Sequence, residues 1–167
     1  MTYPFSTPNR VTKYDVIDEI PERAMVIYAH PDDAEIGAGA TAALWAAQGC
    51  EITYVQCTTG SSGSNDNEMT SDQIVEIRAV EQRAAADVIG VGDIVVLDHP
   101  DGELEADRAF LGEVVHAIRK YRPEVVFAHD QHRFSGFQHR DHRHVGIIVQ
   151  DAIYPYARDH LHFPEQL

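Results

Sequence analysis

The stretch Ala24-Met25-Val26-Ile27-Tyr28-Ala29-His30-Pro31-Asp32-Asp33-Ala34-Glu35 decides the fold. It opens with an unbroken apolar run rich in strand formers, which stops at a histidine and a proline. A strand that is apolar on both faces belongs to a sheet covered on both sides. A helical pattern follows, with Ile36, Ala40, Ala43, Leu44 and Ala47 on one face and Gly49 placed to end it. The same strand–helix unit recurs down the chain. Further strands are predicted at 51–57, 93–97 and 124–128. Thr70 and Gln73 form a capping box that opens a second helix, with Ile77, Val80, Ala84 and Val88 as its inner face and Gly90 as its stop. A third helix buries Leu111, Val114, Val115 and Ile118 and ends before Pro123. A last one buries Val145, Ile148, Val149, Ala152 and Ile153. This alternation predicts an α/β fold: a Rossmann-like three-layer sandwich with a mostly parallel central sheet and right-handed crossovers. Residues 1–23 read as an N-terminal arm and residues 24–167 as one domain.

Composition excludes several partners. The 167 residues carry 27 Asp plus Glu against 13 Lys plus Arg, a net charge of −14. That balance argues against nucleic acid and against an anionic membrane surface, since both select basic faces. The longest weakly apolar stretch, 38–47, is too short to cross a bilayer. The first ten residues lack the basic-then-apolar order of a signal peptide. Cys50 and Cys57 sit at opposite ends of one predicted strand, so no disulfide framework is expected and a reducing cytoplasm is the simplest location. A homo-oligomer is compatible with these features.

In an open parallel sheet, ligands bind beyond the carboxyl ends of the strands. Two polar clusters fall there. One is His30-Pro31-Asp32-Asp33-Ala34-Glu35, after the first strand. The other is His139-Arg140-Asp141-His142-Arg143-His144, which closes the loop after the fourth. Imidazole and carboxylate together are the ligand set of a catalytic zinc. His30 and Asp33 are three residues apart, about one helical turn, and His139 and His142 repeat that spacing. Each cluster alone has a plainer explanation. Asp32 or Asp33 can cap a helix, and a histidine-rich loop can be a solvated face. Their meeting at one sheet edge is what favours a site. Gly37-Ala38-Gly39-Ala40-Thr41-Ala42 matches a dinucleotide fingerprint, but the acids just before it would repel a pyrophosphate. Gly37 and Gly39 read instead as allowing close helix–sheet packing. The Ser/Gly/Asn-rich loop 58–69 reads either as a closing flap or as a linker.

The segments 29–37 (AHPDDAEIG) and His139-Arg140-Asp141-His142 resemble the PIG-L (LmbE-like) zinc-dependent N-deacetylases. The resemblance extends through Arg78-Ala79-Val80-Glu81 and Pro100-Asp101-Gly102 and covers roughly residues 23–156. It implies His30, Asp33 and His142 as zinc ligands and Asp32 as the general base. It implies that His139 stabilises the oxyanion, with Asp141 orienting it and keeping it protonated. Arg78 and Asp101 are the implied substrate contacts. The implied reaction removes the acetyl group from an N-acetylglucosamine-type sugar. The alternatives are a mycothiol-conjugate type of amidase and a non-catalytic sugar- or metal-binding module. The chain departs from the family pattern at Arg140, where many members have proline, and at its C-terminus, where members usually continue.

Overall fold

The structure, a computed structural model, describes residues 19–133 and 136–166. Four strands, β1 (Arg23–Tyr28), β2 (Glu51–Thr58), β3 (Asp93–His99) and β4 (Val125–Phe127), form one sheet in the order β3-β2-β1-β4. Every pairing is parallel. Helices α1 (Asp33–Ala46), α2 (Ser71–Ile89), α3 (Arg108–Tyr121) and α4 (Arg140–Asp151) alternate with them. Most of the predicted arm, residues 1–18, lies outside the described residues, and its last residue, Arg23, already belongs to β1.

The pleat of β1 sorts its apolar run between two cores. Ala24, Val26 and Tyr28 pack with Ala34, Ala38, Ala42 and Trp45 of α1 and Ala86 of α2. Met25, Ile27 and Ala29 pack with Phe110, Val114 and Val115 of α3 and Val145, Ile148 and Val149 of α4. The sheet is therefore the middle of three layers, as predicted.

The chain turns where the sequence says it should. Thr70 and Gln73 form the full capping box, and Gly90 caps α2 in the left-handed region. Cys50 and Cys57 are both free and buried.

Two helix faces differ from the prediction. Ile36, Leu44, Ile77, Val80 and Val88 point outward, Val88 with 88% of its surface exposed. The buried line of α1 is Ala34, Ala38, Ala42 and Trp45. That of α2 is Ile74, Gln82 and Ala86. Small side chains let a helix axis approach the sheet closely, so in α1 close packing selected the largely alanine line over the bulkier one. Gly37 and Gly39 lie inside α1, beyond any strand–helix turn, and a Cβ on Gly39 would meet Ile89 of α2 at 3.6 Å. A Cβ at either position would meet nothing closer than ordinary van der Waals contact, so no packing requirement for glycine is seen there. The strand order reverses between β1 and β4. This is the switch point at which open sheets place ligands.

Candidate metal centre and active site

Strand β1 ends at Tyr28, and His30 follows at its carboxyl edge. The chain then turns through Asp32, whose φ of 88° is left-handed. For a residue with a side chain this conformation costs on the order of 1–3 kcal/mol and tends to mark function. The turn brings Asp33 back under His30, so that the His30 amide donates to Asp33 Oδ2 at 2.8 Å. Neither aspartate caps α1 with its side chain in the manner of an ordinary helix start.

The fourth strand supplies the other half. His142 sits in the first turn of α4, and Gly146 lies one turn later. A Cβ on Gly146 would stand 2.7 Å from the His129 carbonyl oxygen and the Gln131 amide nitrogen. Only glycine lets the loop after β4 press this closely onto α4. The result is a face-to-face stack of His129 on His142, with ring centroids 3.9 Å apart.

Three atoms converge from these two ends of the chain. His30 Nδ1 is 3.2 Å from His142 Nε2 and 3.3 Å from Asp33 Oδ2. His142 Nε2 is 3.1 Å from the same Asp33 oxygen. Ligands of a tetrahedral zinc, each about 2.0–2.1 Å from the ion, stand about 3.3 Å apart. The triangle therefore has the dimensions of one face of that tetrahedron, and its donor set suits a divalent cation. Burial alone would raise the Asp33 carboxyl; the imidazoles of His129, His142 and His30 and the His30 amide outweigh it and hold the group well below the usual carboxylate range.

His129 also borders Asp33, its Nε2 lying 3.5 Å from Oδ2. That nitrogen accepts the Ala29 amide at 3.2 Å, which engages its lone pair. His129 therefore backs His142 and does not complete the triangle. Its place directly after a strand, like that of His30, is the signal that could have identified it from sequence.

The far edge of His30 meets two acids. Its Nε2 is 3.1 Å from Asp101 Oδ1 and 3.1 Å from Asp141 Oδ2. Asp141 is fully buried, and the same oxygen accepts the Gly102 amide at 2.8 Å. The resemblance implied Asp141 as the partner of His139, and in the structure its carboxylate lies against His30. Its carboxylate orients His30, the arrangement in which a metal-binding histidine gives its second N–H to an acid. Asp141 reaches His139 only through its backbone, whose amide donates to His139 Nδ1 at 3.2 Å. An imidazole that accepts at Nδ1 has Nε2 left to donate.

Asp32 points its carboxylate into the cleft and is 57% exposed. Arg78 Nη2 donates to Asp32 Oδ2 at 2.7 Å and to the Pro31 carbonyl at 2.6 Å, while Nη1 pairs with Glu81 at 3.0 Å. Implied as a substrate contact, Arg78 is here bound to the base-position aspartate. Asp101 joins His30 to the loop after β2, its Oδ2 accepting the Ser62 amide at 3.3 Å. The loop read as a flap or a linker is thus anchored beside the metal triangle. These groups line a cleft of about 540 Å³ bordered by His30, Asp32, Ser62, Arg78, Asp101 and His139. A groove of about 640 Å³ beside β4 and the C-terminal turns gathers no such ligand cluster among the described residues.

The chain is similar to known proteins. The family model described as GlcNAc-PI de-N-acetylase (PIG-L) matches residues 25–153. The diacetylchitobiose deacetylase of Thermococcus kodakarensis is 35% identical over 133 residues, which is 79% of this chain and 49% of that protein. The chain thus spans about half the length of this curated relative. Among solved structures, the N,N'-diacetylchitobiose deacetylase of Pyrococcus horikoshii superposes with a TM-score of 0.77 at 31% identity, covering 80% of this chain and 49% of that one. GalB of Pseudomonas putida, a 4-carboxy-2-hydroxymuconate hydratase, follows at 0.74 and 27%, covering 85% and 60%. The family match spans both histidine clusters and the sheet between them, and on that evidence the chain belongs to the PIG-L family.

Proposed function

We propose that this protein is a zinc-dependent hydrolase that removes the acetyl group from an N-acetylglucosamine-type sugar or conjugate. The observation that carries the reading is the triangle of His30 Nδ1, Asp33 Oδ2 and His142 Nε2, with edges of 3.1–3.3 Å. We assign these three as the zinc ligands, Asp32 as general base, and His139 as the donor to the developing oxyanion. A bound zinc lowers the pKa of water to about 7 and polarises an amide carbonyl.

The residues of the chain supply the rest. Asp32 presents the oxygen not held by Arg78 toward the cleft, where it can take a proton from water and later return it to the departing amine. His139, with its proton on Nε2, donates a hydrogen bond to the oxygen that becomes negative. Asp141 and Asp101 hold the His30 ring in place through Nε2.

The charge of the cleft favours an uncharged acetamido sugar. Its arginine, Arg78, is already paired with Asp32 and Glu81, and the rest of the border is largely acidic or neutral. The substrate named for GalB is a carboxylated muconate, which would need a free cation. The test is metal analysis joined to an assay of acetate release from N-acetylglucosamine, N,N'-diacetylchitobiose and an inositol-linked acetamido sugar. About one zinc per chain and release abolished in Asp32→Asn are expected. Zinc binding without release from any amide would favour a binding module.

A further inference from the structure

We infer that Gln82 is a positioning residue that holds Asp32 in its left-handed conformation, so that helix α2 aims the general base. The inference rests on the reading of Asp32 as that base.

Gln82 is a polar side chain on the buried face of a helix, 3% exposed. Its partners account for both ends of its amide. Oε1 accepts the Asp32 amide N–H at 3.0 Å, and Nε2 donates to Glu35 Oε1 at 2.9 Å. The two partners fix which end is oxygen, because an N–H can only donate and a carboxylate accepts.

Gln82 lies four residues after Arg78, on the same face of α2. The pair grips Asp32 at two points: Gln82 takes the backbone N–H, and Arg78 takes carboxylate Oδ2. The residue gripped has a φ of 88° and is followed at once by Asp33, which must face the opposite way to join the metal triangle. Two successive aspartates with divergent directions require a sharp turn, and this turn has no glycine to ease it. If the acceptor at Gln82 is lost, the Asp32 N–H has no partner on the protein. Arg78 still holds the Pro31 carbonyl, but the N–H end of the peptide is released, so Asp32 can relax about its strained φ and its carboxylate shifts with it. Asp33, tied to the His30 amide and to two imidazoles, keeps its place. Loss of Gln82 should therefore strike turnover and spare metal and substrate binding.

The test compares Gln82→Met, which keeps length and flexibility but cannot hydrogen-bond, with the exchange Gln82→Glu/Glu35→Gln. The exchange preserves an acceptor for the Asp32 N–H and restores a bond between positions 82 and 35 by reversing it. Both are measured in the zinc-loaded full chain. In Gln82→Met, exchange of the Asp32 amide proton with solvent should accelerate roughly tenfold or more. In the same variant kcat should fall about a hundredfold with KM within about twofold, as expected for a misplaced catalytic group. Zinc content should be unchanged, and the double exchange should restore amide protection and kcat. An Asp32 amide that stays protected in Gln82→Met, or a double exchange that restores neither quantity, overturns the inference. So does loss of zinc in proportion to kcat, the signature of a merely structural glutamine. If the unmodified chain releases no acetate, the reading of Asp32 as a base fails, while amide exchange still decides whether Gln82 holds it.

Discussion

His30 and Asp141 come from opposite ends of the sequence and meet at the switch point of the sheet, Nε2 to Oδ2, at 3.1 Å. The histidine turns its other nitrogen toward Asp33 and His142, so one ring is held by a buried acid on one edge and offered to a metal on the other. On the proposed reading Asp141 would support a metal ligand without itself touching the ion. Replacing Asp141 with alanine should weaken zinc binding about 10–100-fold, the usual effect of removing such a support. Competition with a zinc chelator measures this, and unchanged affinity would refute the assignment.

Gly146 holds the two histidine-bearing segments together. An alanine there would place Cβ 2.7 Å from two backbone atoms, which cannot yield as a flexible side chain does. Gly146→Ala should cost about 1–3 kcal/mol in urea unfolding and lower zinc content as the His129–His142 stack separates. Full stability and full zinc content would show that the loop moves freely.

The C-terminal turns gather on one side chain. Arg119 donates to the carbonyls of Tyr156, Ala157, Asp159, His162 and Phe163. Hydrogen bonds from a charged group are individually worth more than neutral ones, and these close a segment with little regular structure. Arg119→Met should destabilise by about 2–4 kcal/mol. Limited proteolysis should then cut first within residues 157–166. A cleavage pattern identical to that of the parent chain would contradict this.

Tyr28, Tyr54 and Cys57 have pKa values raised, in each case chiefly by burial. At neutral pH they are uncharged whether the chain is folded or not, so their burial carries no ionisation penalty. Above about pH 8.5 for the thiol and about pH 10 for the phenols, the unfolded chain ionises while the folded one resists. The contribution of these three groups should be constant below that range and be lost as pH rises through it. Urea unfolding between neutral and strongly alkaline pH checks the slope, and the phenolate absorbance of Tyr28 and Tyr54, isolated by difference against their Phe variants, should appear together with unfolding. Ionisation of Tyr28 or Tyr54 in the folded chain would be the contrary result.

The outward faces of α1 and α2 give a paired test. Val88→Glu changes an 88% exposed residue and should shift stability by no more than about 0.5 kcal/mol. Ala86→Glu, two positions away but fully buried, should cost about 3 kcal/mol or more. A larger loss from Val88→Glu than from Ala86→Glu would mean that the inner face of α2 is the one its apolar spacing suggests.

What local periodicity and chain order control could be read directly. The apolar run 24–29, the capping box at Thr70 and Gln73, and the stop at Gly90 determined strands, helices and their alternation. Alternation of this kind admits a parallel sheet whose first and fourth strands deliver their loops to one edge. His30, Asp33 and His142 could therefore be expected at one sheet edge, and the family resemblance implied them as a ligand set. Tertiary structure alone decided the partnerships between side chains about fifty to more than a hundred residues apart. The carboxylate of Asp141 serves His30 and not His139, Arg78 holds Asp32, and Gln82 holds the turn between two aspartates. It also chose the largely alanine line of α1, and the Ile74, Gln82 and Ala86 line of α2, over the apolar faces read from spacing. The physical reason is common to all four. Spacing along a helix or strand is set by local geometry, whereas the group that fills a lone pair or a gap across the sheet is set by how closely whole elements pack.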